Sequence, residues 1–417
     1  MSAKKVTSLP QREIENTFPK LLIRNYNQWG DRVVALRKKE RGIWNEYTWG
    51  DCYIKVREIF RGLLAEGMAA GERVVILGDS TPEWFWSELA IQSGRGTVIA
   101  INPATSPEKI KYIIDNSNPK LVMVQDQEQL DKLYDIYTEF PFQKLIYWRE
   151  KGLRHYESPE LMSLRELINE GLLERARVTE SEHPAHFEQT LALGNGSDPA
   201  IIFYVQNSDG ETEEAIVSHE FLISSAESIL NANLVGTDDE YVSLMNPSWF
   251  FEQILGFGAG LLAGQRLNFA EGVETSQKDF REISPNMLAY PSHLWNRLAN
   301  TIMNNLAASS RLKRVLFKKL LPIGYELANC DLNEEQVSPP KKLLYFIADI
   351  TCFRPLRDKH GLDHVKYAYS AGGAPLSRED ILFFRAIGVK LEAIYSSINK
   401  GIVTTPPEET TLDRQLM

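Results

Sequence analysis

"GERVVILGDSTPEWFWSELAIQSGRGTVIAINPATSPEKIKYIIDNSNPKLVMVQDQEQLDKL", residues 71–133, alternates two kinds of segment. "ERVVILGDS", "GTVIAINPAT" and "KLVMVQD" are short runs rich in Val and Ile, and each reads as a buried strand. "PEWFWSELAIQSG", opening on Pro82, and "SPEKIKYIIDNS" read as helices, since proline is tolerated in the first helical turn. Strands alternating with helices predict a parallel sheet covered on both faces, because a parallel neighbour needs a crossover.

Upstream, residues 15–70 read mainly as helix. The clearest case is "YTWGDCYIKVREIFRGLLAEGM", with Thr48 as N-cap. Downstream the alternation resumes, with strands at 199–204 and 241–245 and helices at 218–233 and 248–263. "QRLNFA", "QKDFREIS" and "PNMLAYP" continue it. "HVKYAYSAGGAPLS" is a strand and a Gly turn, "REDILFFRAIG" a helix and "KLEAIYSS" a last strand. The polar segment 176–198 reads as a surface connection. It divides the chain into a first α/β subdomain, 1–198, and a second, 199–417, with a helical segment at 294–360 and a polar tail at 402–417.

A chain of 417 residues exceeds one small core. Its formal net charge of -10 argues against nucleic acid or an anionic membrane as main partner, since both reward a basic surface. The 3 cysteines are far apart with no CxxC, which fits a reducing compartment and argues against a zinc ribbon. "MSAKKVTSLPQREIENTF" lacks the apolar core of a secretory signal. "ILGFGAGLLAG" is too short and Gly-rich to span a bilayer, so no transmembrane segment is expected. The default is a cytoplasmic protein.

Few motifs carry chemistry. There is no Walker lysine–Ser/Thr pair and no GxSxG elbow. "SAGGAPLS" (370–377) is a Gly turn between strand and helix, alone a weak sign of a ligand. "IIFYVQNSDGETEEAIVSHEFLI" (201–223) reads as strand, loop and helix, a phosphate-holding shape, yet its loop offers Asp209, Glu211, Glu213 and Glu214 around Gly210. His219, after Ser218, reads as a neighbour of a helix cap. Trp249, Phe250 and Phe251 could line a ligand tunnel or pack a core. Arg311–Lys319 reads as a solvated helix face, with phosphate or membrane contact as the other reading.

The order of these pieces resembles the AMP-forming acyl-CoA synthetases, the long-chain type of the adenylate-forming superfamily. Residues 71–133 look like that family's opening. "DPAIIFY" leads to the position of its phosphate loop, and "PSWFFEQILGFGAGLLAG" is similar to the segment bordering its acyl pocket. "FRPLRDKHGLDHVKYAYSAGGAPLS" is very like the long-chain type. The resemblance covers about residues 15 to 400. It implies an α/β fold of two flavodoxin-like parallel sheets with intercalated helices; set against the family's greater length, this sequence is expected to hold an incomplete third β subdomain and no C-terminal mobile domain. By the same resemblance, Gly372, Gly373, Ala374, Pro375 and Tyr395 would border adenine. Trp249, Phe250, Phe251, Glu252, Gly256 and Gly258 would line an acyl pocket.

The pattern breaks at the chemistry. The family's loop reads Thr-Ser-Gly-Thr-Thr-Gly-x-Pro-Lys-Gly. Its slots here hold Val205, Gln206, Asn207, Ser208, Asp209, Gly210, Glu211, Thr212, Glu213 and Glu214. Like charges 6 Å apart at an effective dielectric near 20 repel by roughly 3 kcal/mol, so such a loop disfavours a polyphosphate. The family's Tyr-Gly-x-Thr-Glu reads Tyr395, Ser396, Ser397, Ile398, Asn399, and a neutral Asn399 is a weaker ligand for Mg²⁺ than Glu. These departures imply a degraded member, a pseudoenzyme with no catalytic residue or metal, which keeps a fatty acid, an acyl group or a protein partner. Two alternatives stand beside it. One is a divergent acid–thiol ligase with its missing parts in trans, for which ATP, Mg²⁺ and CoA would be needed. The other is a scaffold subunit.

Overall fold

The computed structural model describes residues 14–177, 186–206, 210–272, 274–372, 376–397 and 401–405. Its contacts divide the chain into two compact units. One holds residues up to Thr237 together with Ser243–Phe269; the other holds Asp238–Val242 and the chain from Ala270 onward.

In the first unit, β1 (Val34–Glu40) and β2 (Ile43–Thr48) form a hairpin. This corrects the helical reading of 15–70. Arg41 and Gly42 turn the chain with φ of 50° and 79°, and the strand Arg266–Phe269 supplies β1 with a parallel partner. The helix Trp49–Ala65 follows, with Thr48 and Asp51 in a capping box.

The central segment folds as its alternation predicts. β3 (Arg73–Leu77), β4 (Thr97–Ile101), β5 (Leu121–Val124), β6 (Lys144–Tyr147) and β7 (Leu161–Ser163) are parallel. Beyond Arg73 and Thr97 at their starts, β3 to β5 are apolar on both faces because helices cover both sides. β8 (Pro199–Gln206) joins beside β4, and β9 (Thr212–Ser218) closes the edge antiparallel to β8. Among the described residues the order is β7-β6-β5-β3-β4-β8-β9. The helix Pro82–Ser93 connects β3 to β4 and is buried almost all round, as a helix apolar on every face must be.

In the second unit, β10 (Glu240–Val242) pairs with β12 (Met287–Tyr290), β12 with β13 (Tyr367–Ala371), and β13 with β14 (Leu391–Ser397), all parallel. β11 (Arg266–Phe269) belongs to the first unit, beside β1. β15 (Gly401–Thr405) runs antiparallel to β14, so the first residues of the expected polar tail form a strand. Between β12 and β13 lie the helices Ser292–Ala307, Arg311–Leu332, Pro339–Ala348 and Arg354–Lys359, which accounts for the helix-rich reading of 294–360.

Candidate functional site

The segment read as strand–loop–helix is a strand–loop–strand–helix. Thr212 to Ser218, placed in the loop and helix approach, form β9 in register with β8: Tyr204 lies opposite Glu214 and Val205 opposite Glu213. Gly210 has φ of 81°, a left-handed conformation natural to glycine. Asn207, Ser208 and Asp209 lie outside the described residues. Val205 and Gln206 end β8, and both are exposed.

Glu214 is not a loose charge facing the loop. Arg73 of β3 grips it in a two-pronged ion pair, 2.8 Å to Oε1 and 3.2 Å to Oε2. The Tyr204 hydroxyl donates to Oε1 at 2.6 Å and Asn116 Nδ2 at 3.0 Å. Burial, then this carboxylate, push the Tyr204 phenol up to about 12. Tyr112 donates to the Thr212 carbonyl at 3.1 Å. The hairpin is thus fastened to the sheet and to the helix Pro107–Ser117, whereas Glu213 projects outward, exposed. The picture of four acids crowding one loop is corrected accordingly.

β13 ends at Ala371, Gly372 turns with φ of 67°, and the helix Arg378–Ala386 begins under a Ser377 cap that accepts from Asp380 N at 3.1 Å. The strand, Gly turn and helix are as read. Gly373, Ala374, Pro375 and Asn399 lie outside the described residues. Tyr395 is in β14, paired with Val403.

A polar cluster that sequence reading passed over lies in the first unit, where sheets of this kind bind ligands. The chain after β3 runs toward β4 and the chain after β5 runs away toward β6, so the carboxyl ends of β3 and β5 diverge. Gln125, after β5, accepts from Asp79 N, and Trp148 lies so close to Gly78 that a Cβ there would sit 2.7 Å from it. Ser80 Oγ is 2.5 Å from Ser243 Oγ, Ser243 donates to the fully buried Glu252, and Asn246 donates to the Gly78 carbonyl at 2.7 Å.

Glu252 leads into a π-helical turn, Gln253–Gly258. Such turns are rare and recur at functional sites. Gln253 Nε2 donates to Glu88 at 2.9 Å and to the Pro247 carbonyl at 3.0 Å. Trp84 Nε1 and Gln92 Nε2 also donate to Glu88, both at 3.2 Å. Every one of these donors is neutral. Burial therefore dominates and lifts the Glu88 carboxyl to about 7, the three hydrogen bonds pulling the other way. The signal was legible: one glutamate in the apolar run "WFWSELAIQ".

The expected acyl-pocket residues sit at this turn. Trp249 and Phe250 are partly exposed, whereas Phe251, Glu252, Gly256 and Gly258 are buried. Phe250 meets Phe203 and Phe221, each 5.9 Å away between ring centres, and Phe257 meets Phe85 at 5.0 Å. His219 is the first residue of its helix, with Ser218 as cap. Its Nδ1 accepts from Phe18 N at 3.3 Å, and burial lowers it to about 3. It is a neutral core histidine.

A cavity of about 750 Å³ in the second unit, lined by Asp331, Tyr345, Asp349, Arg357, Arg385 and Lys390 among others, is built on structural pairs. Arg357 holds Asp349 at 2.6 Å and the Ile387 carbonyl at 2.6 Å, and Arg385 holds Asp331 at 2.6 Å. Among the described residues, no group of three or more His, Cys, Asp or Glu side chains could hold a metal ion.

Comparison with known proteins places these features in context. The profile of a family described as AMP-binding enzyme matches residues 22–411. A long-chain-fatty-acid–CoA ligase of Xenopus laevis, ACSBG2, is 22% identical over 397 residues, covering 94% of this chain and 51% of the relative. Human ACSBG1, of the same description, is 23% identical, covering 93% and 52%. The chain thus spans about half the length of the curated relatives it matches. Among solved structures, the adenylation domain of a carboxylate reductase from Mycobacterium chelonae superposes with a TM-score of 0.64 at 16% identity, over 93% of this chain and 58% of that one. The N-terminal domain of FACL13 from Mycobacterium tuberculosis gives 0.58 at 14%, over 95% and 80%. At these identities the structural likeness concerns the fold.

Proposed function

Because the chain belongs to the AMP-binding enzyme family, we propose that it is an acyl-CoA synthetase-like large domain whose nucleotide chemistry has been lost and whose acyl-binding segment is kept. One observation carries the reading. At the slots of the family's Lys-Gly, this chain has Glu213, exposed on β9, and Glu214, held by Arg73, Tyr204 and Asn116. The slot that would present a lysine to the phosphates instead carries an exposed carboxylate, Glu213, and the next carboxylate, Glu214, is locked into the sheet. Asn399 at the metal position supports the same conclusion. Affinity for a nucleotide would then come from adenine against Gly372–Pro375 and Tyr395, with nothing gained from the triphosphate. The acyl chain would enter past Trp249 and Phe250 toward the Gly256–Gly258 turn.

Calorimetry with adenosine, AMP and MgATP, beside ATP–pyrophosphate exchange over a panel of fatty acids, tests it. Adenosine binding at least as well as MgATP, with no exchange, is the expected result. In a working synthetase the order is reversed, since charge-assisted phosphate contacts are among the stronger ones. Tight MgATP binding with adenosine silent, or exchange with any fatty acid, overturns the reading.

A further inference from the structure

The helices Arg311–Leu332 and Pro339–Ala348 of the second unit pack their inner sides through Phe317, Gly324, Ala328, Ala348 and the following Phe353, with Phe317 and Phe353 edge to face at 6.2 Å. Their outer sides should then be polar, as on an ordinary surface helix. They are not. Leu343, Phe346, Ile347 and Ile350 are 62, 59, 48 and 51% exposed, and their spacing of i, i+3, i+4, i+7 puts them on one stripe. Leu312 is 77% exposed on the neighbouring helix, with Val315 and Leu316 a turn further on, also exposed. Single exposed apolar residues need no explanation, but a stripe of them marks a surface that something covers.

Charge indicates what covers it. Residues 311–319 carry Arg311, Lys313, Arg314, Lys318 and Lys319 with no acid, and 338–348 carry Lys341 and Lys342 with no acid. Among the described residues, Lys341 alone of these seven sits in an ion pair, with Glu326. A chain of net charge -10 has acids to spare for neutralising a structural basic cluster, and here it uses almost none. Apolar side chains framed by unneutralised Lys and Arg on a helix surface suit the interface of an anionic bilayer: the apolar stripe enters the acyl boundary while the cations meet the headgroups. We infer that this helix pair is a membrane-docking face that seats the protein on anionic lipid. No helix of the described residues is long and apolar enough to cross a membrane.

Vesicle flotation of the full chain tests this, with phosphatidylcholine alone and mixed with phosphatidylglycerol. The protein should float with the anionic vesicles, and added salt should release it. Phe346→Glu with Ile347→Glu, on one helix, and Lys318→Glu with Lys319→Glu, on the other, should each reduce partitioning by at least about tenfold. Because all four side chains are exposed, the circular dichroism melts should be unchanged, and either pair alone suffices if the other fails to fold. Wild-type protein that stays at the bottom of the gradient overturns the inference, as do variants that float equally well. A self-association that the same variants abolish, with no lipid binding, assigns the face to a second copy and also overturns it.

Discussion

Two buried titratable side chains, Glu88 and His219, tie this protein's stability to pH in opposite directions. The His219 imidazole is held at about 3 in the folded state against 6.5 as its ordinary value. The unfolded chain therefore takes up the proton first, and stability is lost as pH falls from about 6.5 toward 3. His219→Gln keeps an acceptor for Phe18 N and removes the proton. Its advantage over the parent should grow by about 2–3 kcal/mol between pH 7 and 4.5, at about 1.4 kcal/mol per unit, as read by urea denaturation at each pH. Glu88 runs the other way. Its carboxyl is raised to about 7 from 4.5, so the folded state holds the proton longer, and stability is lost as pH rises through that interval. Among the described residues, Gln92 Oε1 and Gln253 Oε1 have no hydrogen-bond partner, which leaves acceptors for a protonated or amide side chain. Glu88→Gln should gain about 2–3 kcal/mol on the parent between pH 5 and 8, and a flat difference would show that Glu88 is not held neutral.

The β8–β9 hairpin and the π-helical turn are the elements on which the functional reading turns. Glu214→Gly, a step toward the family's loop, removes the bonds from Arg73, Tyr204 and Asn116 and puts glycine into a strand. It should cost about 2 kcal/mol, measurable by thermal melting, with no synthetase activity gained. At the π turn, a Cβ on Gly258 would lie 3.0 Å from the Gln253 carbonyl and 3.1 Å from Ala226 Cβ. Gly258→Val should destabilise the first unit by about 2–3 kcal/mol through overpacking. A neutral outcome would mean that space opens beside the turn. The two elements differ in how legible they were. The apolar run ending in "GAGLLAG" announces a buried segment. β9 does not announce itself, because "TEEAIVS" shows solvent half of its side chains and its strand character comes from pairing with β8.

For the molecule as a whole, the proposal separates fatty-acid binding from nucleotide binding. Burial of a fatty chain contributes roughly 0.8 kcal/mol per CH₂ and needs no phosphate loop. A fluorescent fatty-acid titration should saturate, with a midpoint indifferent to MgATP. A flat titration, with no lipid co-purifying, would count against the acyl site while leaving the fold and the family untouched.

Residues 71–133 determined the α/β class without help, because β3, β4 and β5 are buried on both faces and such strands must be continuously apolar between helices. The same logic exposed the strand–turn–helix around Gly372 and the helices of 294–360. Thr48 was readable as a cap because capping is settled within three residues of chain. Contacts distant in sequence settled the rest. β1 and β2 look helical until β11, more than two hundred residues away, gives β1 its partner. Arg73 and Glu214 are unremarkable charges until β3 and β9 enter one sheet. Glu88 is one acid in an apolar helix until Gln253 meets it across 165 positions. Side-chain burial and pairing depend on which elements become neighbours, and periodicity along one segment carries no record of the neighbour.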